Sequence, residues 1–391
     1  MYLNHQFHLF QFHLNQQFHL HVQMYLNHLL KLISSLVTDG EPLNTGSING
    51  IWARITREHQ PASNYNMPLL LIWCVAHRIT LAWKSVCKDN PIVEYIINLA
   101  SQLCTFFHNS GKRTGKLRNA AKANALSVPL QYPSYNSTRW VQYAFDLLNV
   151  VLRNWRQAMA YFMSENEPLL AECWLNYDRL HLLTFLADVL QHLKTFQKYF
   201  ESDKITILDL PNKKAQLCEQ LEKCINNSVK KGWEELFLNK IEYVNEVMFF
   251  NGYQLVIESR TRNVSIYAFT FQKREAIIRS LIKYLNERLE CDEFIQECLK
   301  PLHPITLTAS TDSLEMCHKC IIPDFDKYRF ITEYRAAADL LKNYQFVSPL
   351  KTLQTLIQIS PGSFLTVKTA LARLAAAKPH SSDVERFISN C

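Results

Sequence analysis

Glycine is scarce in this chain: 8 of 391 residues, about 2% where soluble proteins average about 7%. Sandwiches and barrels need a turn residue every few positions, and most of those turns depend on glycine, asparagine or proline. So little glycine argues against an all-β fold and for long helices. Hydrophobic residues make up 48% and charged residues 20%, the proportions of a packed core rather than of bulk disorder. At roughly 100–200 residues per domain the length predicts two or three structural units. The expected fold class is α+β, mostly α.

Forty-two Lys and Arg against thirty-five Asp and Glu leave a net charge of +7. This mild basic excess suits a polyanionic partner without requiring one. The longest apolar run, residues 69–76, falls well short of the ~20 residues a spanning helix needs, so no membrane partner is expected. Residues 1–30 lack the charged-then-apolar order of a signal peptide. Eleven cysteines, an odd number without such a leader, are expected to be reduced, buried thiols in an intracellular protein.

Both ends read as those of a fragment. Residues 1–28 repeat Gln-Phe-His-Leu from Gln6, Gln11 and Gln17, and Met-Tyr-Leu-Asn-His from Met1 and Met24. The tract is rich in histidine but has no Cys, Asp or Glu alongside. Metal binding therefore competes with a translated repeat, and residues 1–32 are set apart from the fold. At the other end Cys391 follows what reads as the opening turns of a helix. Between the ends, residues 32–38 and 69–75 have the pattern of buried strands. Residues 76–87 and the stretch from Pro91 are helical, with Pro91 at the permitted first turn. Beyond Arg139-Trp140 the pattern is helical for about 200 residues, with examples at 141–163, 179–200, 212–232, 271–286 and 334–344. Helices at 350–358 and 364–377 follow. The expected domains are therefore 33–140, a helical insertion over 141–346, and a return over 347–391.

Several residues could carry chemistry. Asp39 sits where a buried strand ends, a position suited to a hard cation and equally to an Asp-Gly turn. Cys74 and His77 would supply two of the four ligands of a zinc site, or simply pack at a helix start. Cys317 and Cys320 form a Cys-x-x-Cys pair with no second pair at the usual downstream spacing. Lys112, Arg113, Lys116, Arg118 and Lys122 form a basic segment with no acidic residue. It could neutralise phosphates by counterion release or be a solvated helix start. No Walker loop, nucleophile elbow or dinucleotide fingerprint is present, and no small-molecule cofactor is expected.

Four of these pieces together resemble the hAT superfamily of DNA transposases and their domesticated descendants. Thr38-Asp39-Gly40-Glu41-Pro42 is similar to the family's strand-end block with a catalytic aspartate. Cys74-Val75-Ala76-His77-Arg78-Ile79-Thr80-Leu81-Ala82 is close to its Cys-x-x-His block. Thr138-Arg139-Trp140 matches its Arg-Trp pair, and His380-Ser381-Ser382-Asp383-Val384-Glu385-Arg386-Phe387-Ile388-Ser389 is similar to its C-terminal block. The motifs occur in family order, with a helical stretch between the third and fourth.

The resemblance implies a partial RNase H-like core interrupted by a large all-helical insertion, a nuclear protein, and a C-terminal dimerisation region from about Leu350. In the family two aspartates and a glutamate hold two Mg²⁺ that activate the attacking oxygen and stabilise the leaving one. Asp39 matches the second aspartate and Glu385 the glutamate, and both would be metal ligands. Cys74 and His77 match a supporting pair, and Arg139 and Trp140 match residues near the processed DNA flank. The first family aspartate lies upstream of Asp39, yet residues 1–38 contain no Asp or Glu. A two-metal site without its bridging carboxylate should not assemble. The expectation is thus a catalytically incomplete, self-associating and nucleic-acid-binding protein. The alternative is a fragment of an active Mg-dependent transposase, and a lesser one is a SUMO-ligase-like regulator.

Overall fold

A computed structural model describes residues 35–38, 53–57, 70–133, 140–202, 205–257, 269–290, 293–345, 348–377 and 379. They are mostly helical, with two small sheets, an α+β chain weighted to α as the composition predicts. The chain forms two compact units. The first holds the described residues up to Val75, Phe200–Leu210 and those from 293 onward; the second is Ala76–Tyr199 with Pro211–Glu290. These divisions differ from the composition-based ones, because 76–133 shares a unit with 140–199, and 293–345 shares one with 348–377.

In the first unit β1 (Ser35–Thr38) and β2 (Leu70–Trp73) pair in parallel, Thr38 opposite Trp73. Just past β2, the Val75 amide donates to the Pro379 carbonyl at 2.9 Å. The backbone arriving at residue 38 and the backbone arriving at residue 379 therefore meet at the same end of the strand pair.

The second unit opens with α1 (Val75–Asp89), whose first residue lies at the unit boundary, and continues through α2 (Pro91–His108) and α3 (Gly111–Ala123). Next come α4 (Trp140–Arg153) and α5 (Trp155–Ser164). The sequence pattern predicts one helix over 141–163, but Asn154 interrupts it. Its side chain, 1% exposed, accepts from the Leu130 amide and donates to the Leu130 carbonyl, both at 2.8 Å. A buried amide that can satisfy both groups of a passing loop outweighs one more helical turn.

After α6 (Pro168–Trp174), the long α7 (Tyr177–Phe200) buries almost its whole circumference between Leu182 and Leu190. A helix apolar on all sides belongs at the centre. It is followed by α8 (Leu210–Asn226), which begins at the unit boundary and ends six residues before the predicted 232, and the short α9 (Trp233–Leu238). The second unit closes with α10 (Phe271–Arg288).

The largest departure from the helical expectation is an antiparallel meander of β3 (Ile241–Val244), β4 (Val247–Phe250) and β5 (Tyr253–Gln254). Two-residue loops join the strands. Asn245 and Glu246 turn the first at φ 48° and 62°; Asn251 and Gly252 turn the second at 50° and 82°. Two consecutive positive φ values are the hairpin turn whose twist matches its strands, and Asn-Gly is its strongest sequence signal.

The first unit's own core is built from α11 (Glu293–Leu299), α12 (Thr311–Ile321), α13 (Lys327–Leu341), α14 (Pro349–Ile359) and α15 (Leu365–Ala376). Ser310, Asp326 and Ser348 cap α12, α13 and α14 through their side chains, each worth about 1 kcal/mol. Leu356, Val367, Leu371 and Leu374 are fully buried in this core, and Leu353 packs against it. The apolar faces of the last two helices, open from sequence to dimerisation or to packing on the chain's own core, are thus spent largely within the unit. Ile357, Ile359 and Leu365 remain exposed.

Candidate functional site

Of the residues singled out by motif, Asp39, Arg139 and Glu385 lie outside the described residues. Cys74 is buried at the end of β2. His77 is half-buried in the first turn of α1. Trp140 is half-buried as the first residue of α4. Among the described residues no group of three His, Cys, Asp or Glu could hold a metal ion. Cys317 lies on α12, wholly buried, and burial pushes its thiol far above the ordinary range. That is a core position with none of the thiolate character that ligation or redox exchange needs.

The basic segment is the site that the described residues build most completely. It forms α3, whose N-terminus is capped by Ser110 accepting from the Arg113 amide. Leu117, Ala120 and Ala121 make a narrow buried stripe. At about 100° per residue, Lys112, Arg118 and Lys122 fall on the opposite, solvent side, and all three are exposed. The other two cations have local partners. Arg113 lays its guanidinium 4.1 Å from the centre of the Phe106 ring, and Lys116 pairs with Glu165 just past α5. That hydrogen bond raises the Lys116 ammonium above its usual range. The five-residue cluster predicted from sequence resolves into three exposed charges with no ion-pair partner among the described residues, an exposed Arg113 laid on Phe106, and Lys116 paired with Glu165.

The packing of α3 is antiparallel to α5. Lys116 meets the end of α5 at Glu165, while Gln157 near its start donates to the Ser127 carbonyl at 3.2 Å, beyond the end of α3. The start of α5 carries a second group of cations that sequence reasoning missed. Arg153, Arg156 and Lys240 are exposed at the mouth of a cavity of about 270 Å³. Trp155, Leu180, Phe237 and Phe250 line its floor. The Trp155 ring lies 4.9 Å from Phe250 and 5.6 Å from Tyr253, and its indole N–H donates to the Trp174 carbonyl. The Asn251-Gly252 pair is a hairpin signal that marks the end of the strand carrying Phe250.

One wall of that cavity, α9, is held by a buried polar network. Asp188, midway along α7, accepts from the Trp233 amide at 2.7 Å and the Glu234 amide at 3.0 Å. Glu234, 1% exposed, takes two hydrogen bonds from Arg274 at 2.6 and 2.8 Å and one from His181 at 2.8 Å. Arg274 also caps the end of α8 through the Cys224 and Asn227 carbonyls. Burial pushes the Asp188 carboxyl up to about 6. For Glu234 burial acts in the same direction but is outweighed by His181 and Arg274, so its carboxyl is held low. The members satisfy one another and none of them lines that cavity, so the network is architectural: it fixes the helix carrying Trp233 and Phe237.

No protein-family model matches this chain, and no curated protein or solved structure does either. Among the described residues no helix is long and apolar enough to cross a membrane.

Proposed function

We propose that this chain is a hAT-transposase-like protein that binds nucleic acid and self-associates in the nucleus without cutting or joining strands. The observation carrying the reading is α3: Lys112, Arg118 and Lys122 project into solvent from a helix with no acidic residue, anchored by Arg113 and Lys116. Exposed cations with no carboxylate partner among the described residues lose little on meeting a phosphate backbone and gain the entropy of released counterions.

A partial RNase H-like core is supported by the β1–β2 pair. Its parallel register and the Val75–Pro379 hydrogen bond bring the chain to the same strand ends just ahead of Asp39 and just ahead of the block containing Glu385. Self-association rests on the C-terminal resemblance and on the exposed Ile357, Ile359 and Leu365 of the last two helices.

The test is binding of a fluorescent duplex to the full chain, compared with Lys112→Ala/Arg118→Ala/Lys122→Ala. These side chains are exposed, so the variant should fold normally. Affinity for duplexes of unrelated sequence should fall together in the variant. Equal affinity of both proteins would remove α3 as the binding surface.

A further inference from the structure

The cavity between the start of α5, the first turns of α7, α9 and β4 is unexplained by the polyanion reading. Its floor is apolar and largely aromatic: Trp155, Leu180, Phe237 and Phe250. Its rim is cationic, and the lining includes no carboxylate. The interruption at Asn154 creates this arrangement, since Arg153 ends one helix and Arg156 is the second residue of the next. Lys240 follows α9 from the opposite wall. Arg153 donates to the neutral Asn149 side chain at 3.3 Å. Among the described residues none of the three cations has a carboxylate within ion-pair distance.

An apolar floor under three unneutralised cations selects a ligand with the same two parts, a flat apolar body and an anionic end. A volume of about 270 Å³ lies at the low end of small-molecule sites, which run from roughly 300 to 1,000 Å³, so one small unit fits and a larger cofactor does not. Guanidinium groups favour phosphate, which they can grip with two parallel bonds. Ring faces favour a planar base, which stacks whatever its identity. We infer that the cavity binds one nucleoside monophosphate unit, the base against the half-buried Trp233 and Phe250 and the phosphate among Arg153, Arg156 and Lys240. The unit is either a free nucleotide or one residue of a single strand. The inference does not depend on α3 binding duplex DNA.

The network behind α9 gives the site its rigidity. With Asp188 holding the Trp233 and Glu234 amides, and Arg274 holding Glu234, the wall bearing Trp233 and Phe237 is fixed before any ligand arrives. A pre-formed wall avoids the ordering cost that weakens binding to mobile sites.

The experiment follows tryptophan fluorescence of the full chain during titration with thymidine 5′-monophosphate, oligothymidylate of eight residues, thymidine and inorganic phosphate. Calorimetry provides a second measure of each affinity. The variant Arg153→Ala/Arg156→Ala/Lys240→Ala changes only exposed side chains, and its unfolding midpoint should match the parent's. Saturable binding of the monophosphate, with thymidine and phosphate each at least about tenfold weaker and a similar loss in the variant, supports a free-nucleotide site. Binding of the oligonucleotide alone, lost in the variant, supports the strand as source. Phosphate binding as tightly as the monophosphate would overturn the proposal, as would absence of binding by both nucleotide probes. Oligonucleotide binding unchanged in the variant would also overturn it while leaving the α3 reading standing. Conversely, loss of duplex binding in the α3 variant with monophosphate binding intact would separate the two sites.

Discussion

The carboxylate of Asp188 stands so close over Gly232 that a Cβ built on Gly232 would lie 2.5 Å from Oδ2 and 2.8 Å from Cγ. Gly232 has ordinary extended backbone, φ −77° and ψ 174°, so space rather than conformational freedom demands glycine here. The carboxylate cannot swing aside cheaply, because the Trp233 and Glu234 amides hold both of its oxygens.

Gly232→Ala should therefore destabilise the second unit by about 1–3 kcal/mol, the usual cost of forcing an atom into a packed site. Asp188→Ala removes the obstructing group, so the double variant should be more stable than the two single effects added together. Urea unfolding of the four proteins measures that coupling. Strict additivity would mean the contact carries no energy.

Asp188 also gives stability a pH dependence of definite sign. Burial raises its carboxyl in the folded chain to about 6 from an ordinary value of 3.8, so between those limits the folded state binds the extra proton. Stability should accordingly fall as pH rises from about 4 to about 6, by roughly 3 kcal/mol from this group. The check is the difference in unfolding free energy between the parent and Asp188→Asn at pH 4.5 and pH 6.5. The parent should lose stability relative to the variant over this interval.

Removing the partner of Glu234 should be more damaging than removing any surface charge. Arg274→Met leaves a carboxylate that is 1% exposed with His181 as its remaining side-chain partner, and it uncaps α8 at Cys224 and Asn227. Breaking a buried pair in this way costs about 3–5 kcal/mol. Circular dichroism during thermal unfolding should show a large drop in midpoint. Lys223→Ala, which breaks an exposed pair with Glu219, should barely move it.

In the first unit Glu333 does for α15 what its N-cap residue cannot. Phe364 occupies the cap position in the left-handed region, φ 60°, and has no oxygen to offer. Glu333, on α13, instead accepts from the Thr366 amide at 2.8 Å and the Thr366 hydroxyl at 2.7 Å. Burial opposes ionisation there, but hydrogen bonds from Arg329 and Thr366 outweigh it and hold the carboxyl below its usual range. Its contribution is present above the unfolded carboxylate range and lost as pH falls through the lower folded value. Glu333→Ala should cost about 0.5–2 kcal/mol at neutral pH, on the scale of a lost cap. Unfolding measured at pH 7 should show the loss.

Periodicity made much of the helical framework legible, and punctuation did the same for its ends. Pro91 marked the start of α2, and the apolar spacing after it persisted to His108. The 3.6-residue pattern ran straight through Asn154, however, because α4 and α5 both bury apolar faces. Only the tertiary contact with Leu130 explains the break. Low glycine content pointed away from strands in the helical region, yet Asn251-Gly252 needs a single glycine to turn a hairpin. Asn245-Glu246 turns the other loop with none. The basic segment was visible as composition, but which charges face solvent depended on Phe106 and Glu165, neither of which lies on α3 itself. The cavity was invisible for the same reason: its lining comes from separate elements spread from Leu152 to Asn251.

The most direct test of the account is the salt dependence of duplex binding. Each phosphate neutralised contributes about 0.9 to the slope of log affinity against log salt concentration. If α3 is the contact surface, the triple variant Lys112→Ala/Arg118→Ala/Lys122→Ala should show a slope shallower than the parent's by about 2–3, with its thermal unfolding unchanged. A parent that binds duplex with no salt dependence, or a variant with the parent's slope, would contradict the reading of this chain as a nucleic-acid-binding protein acting through α3.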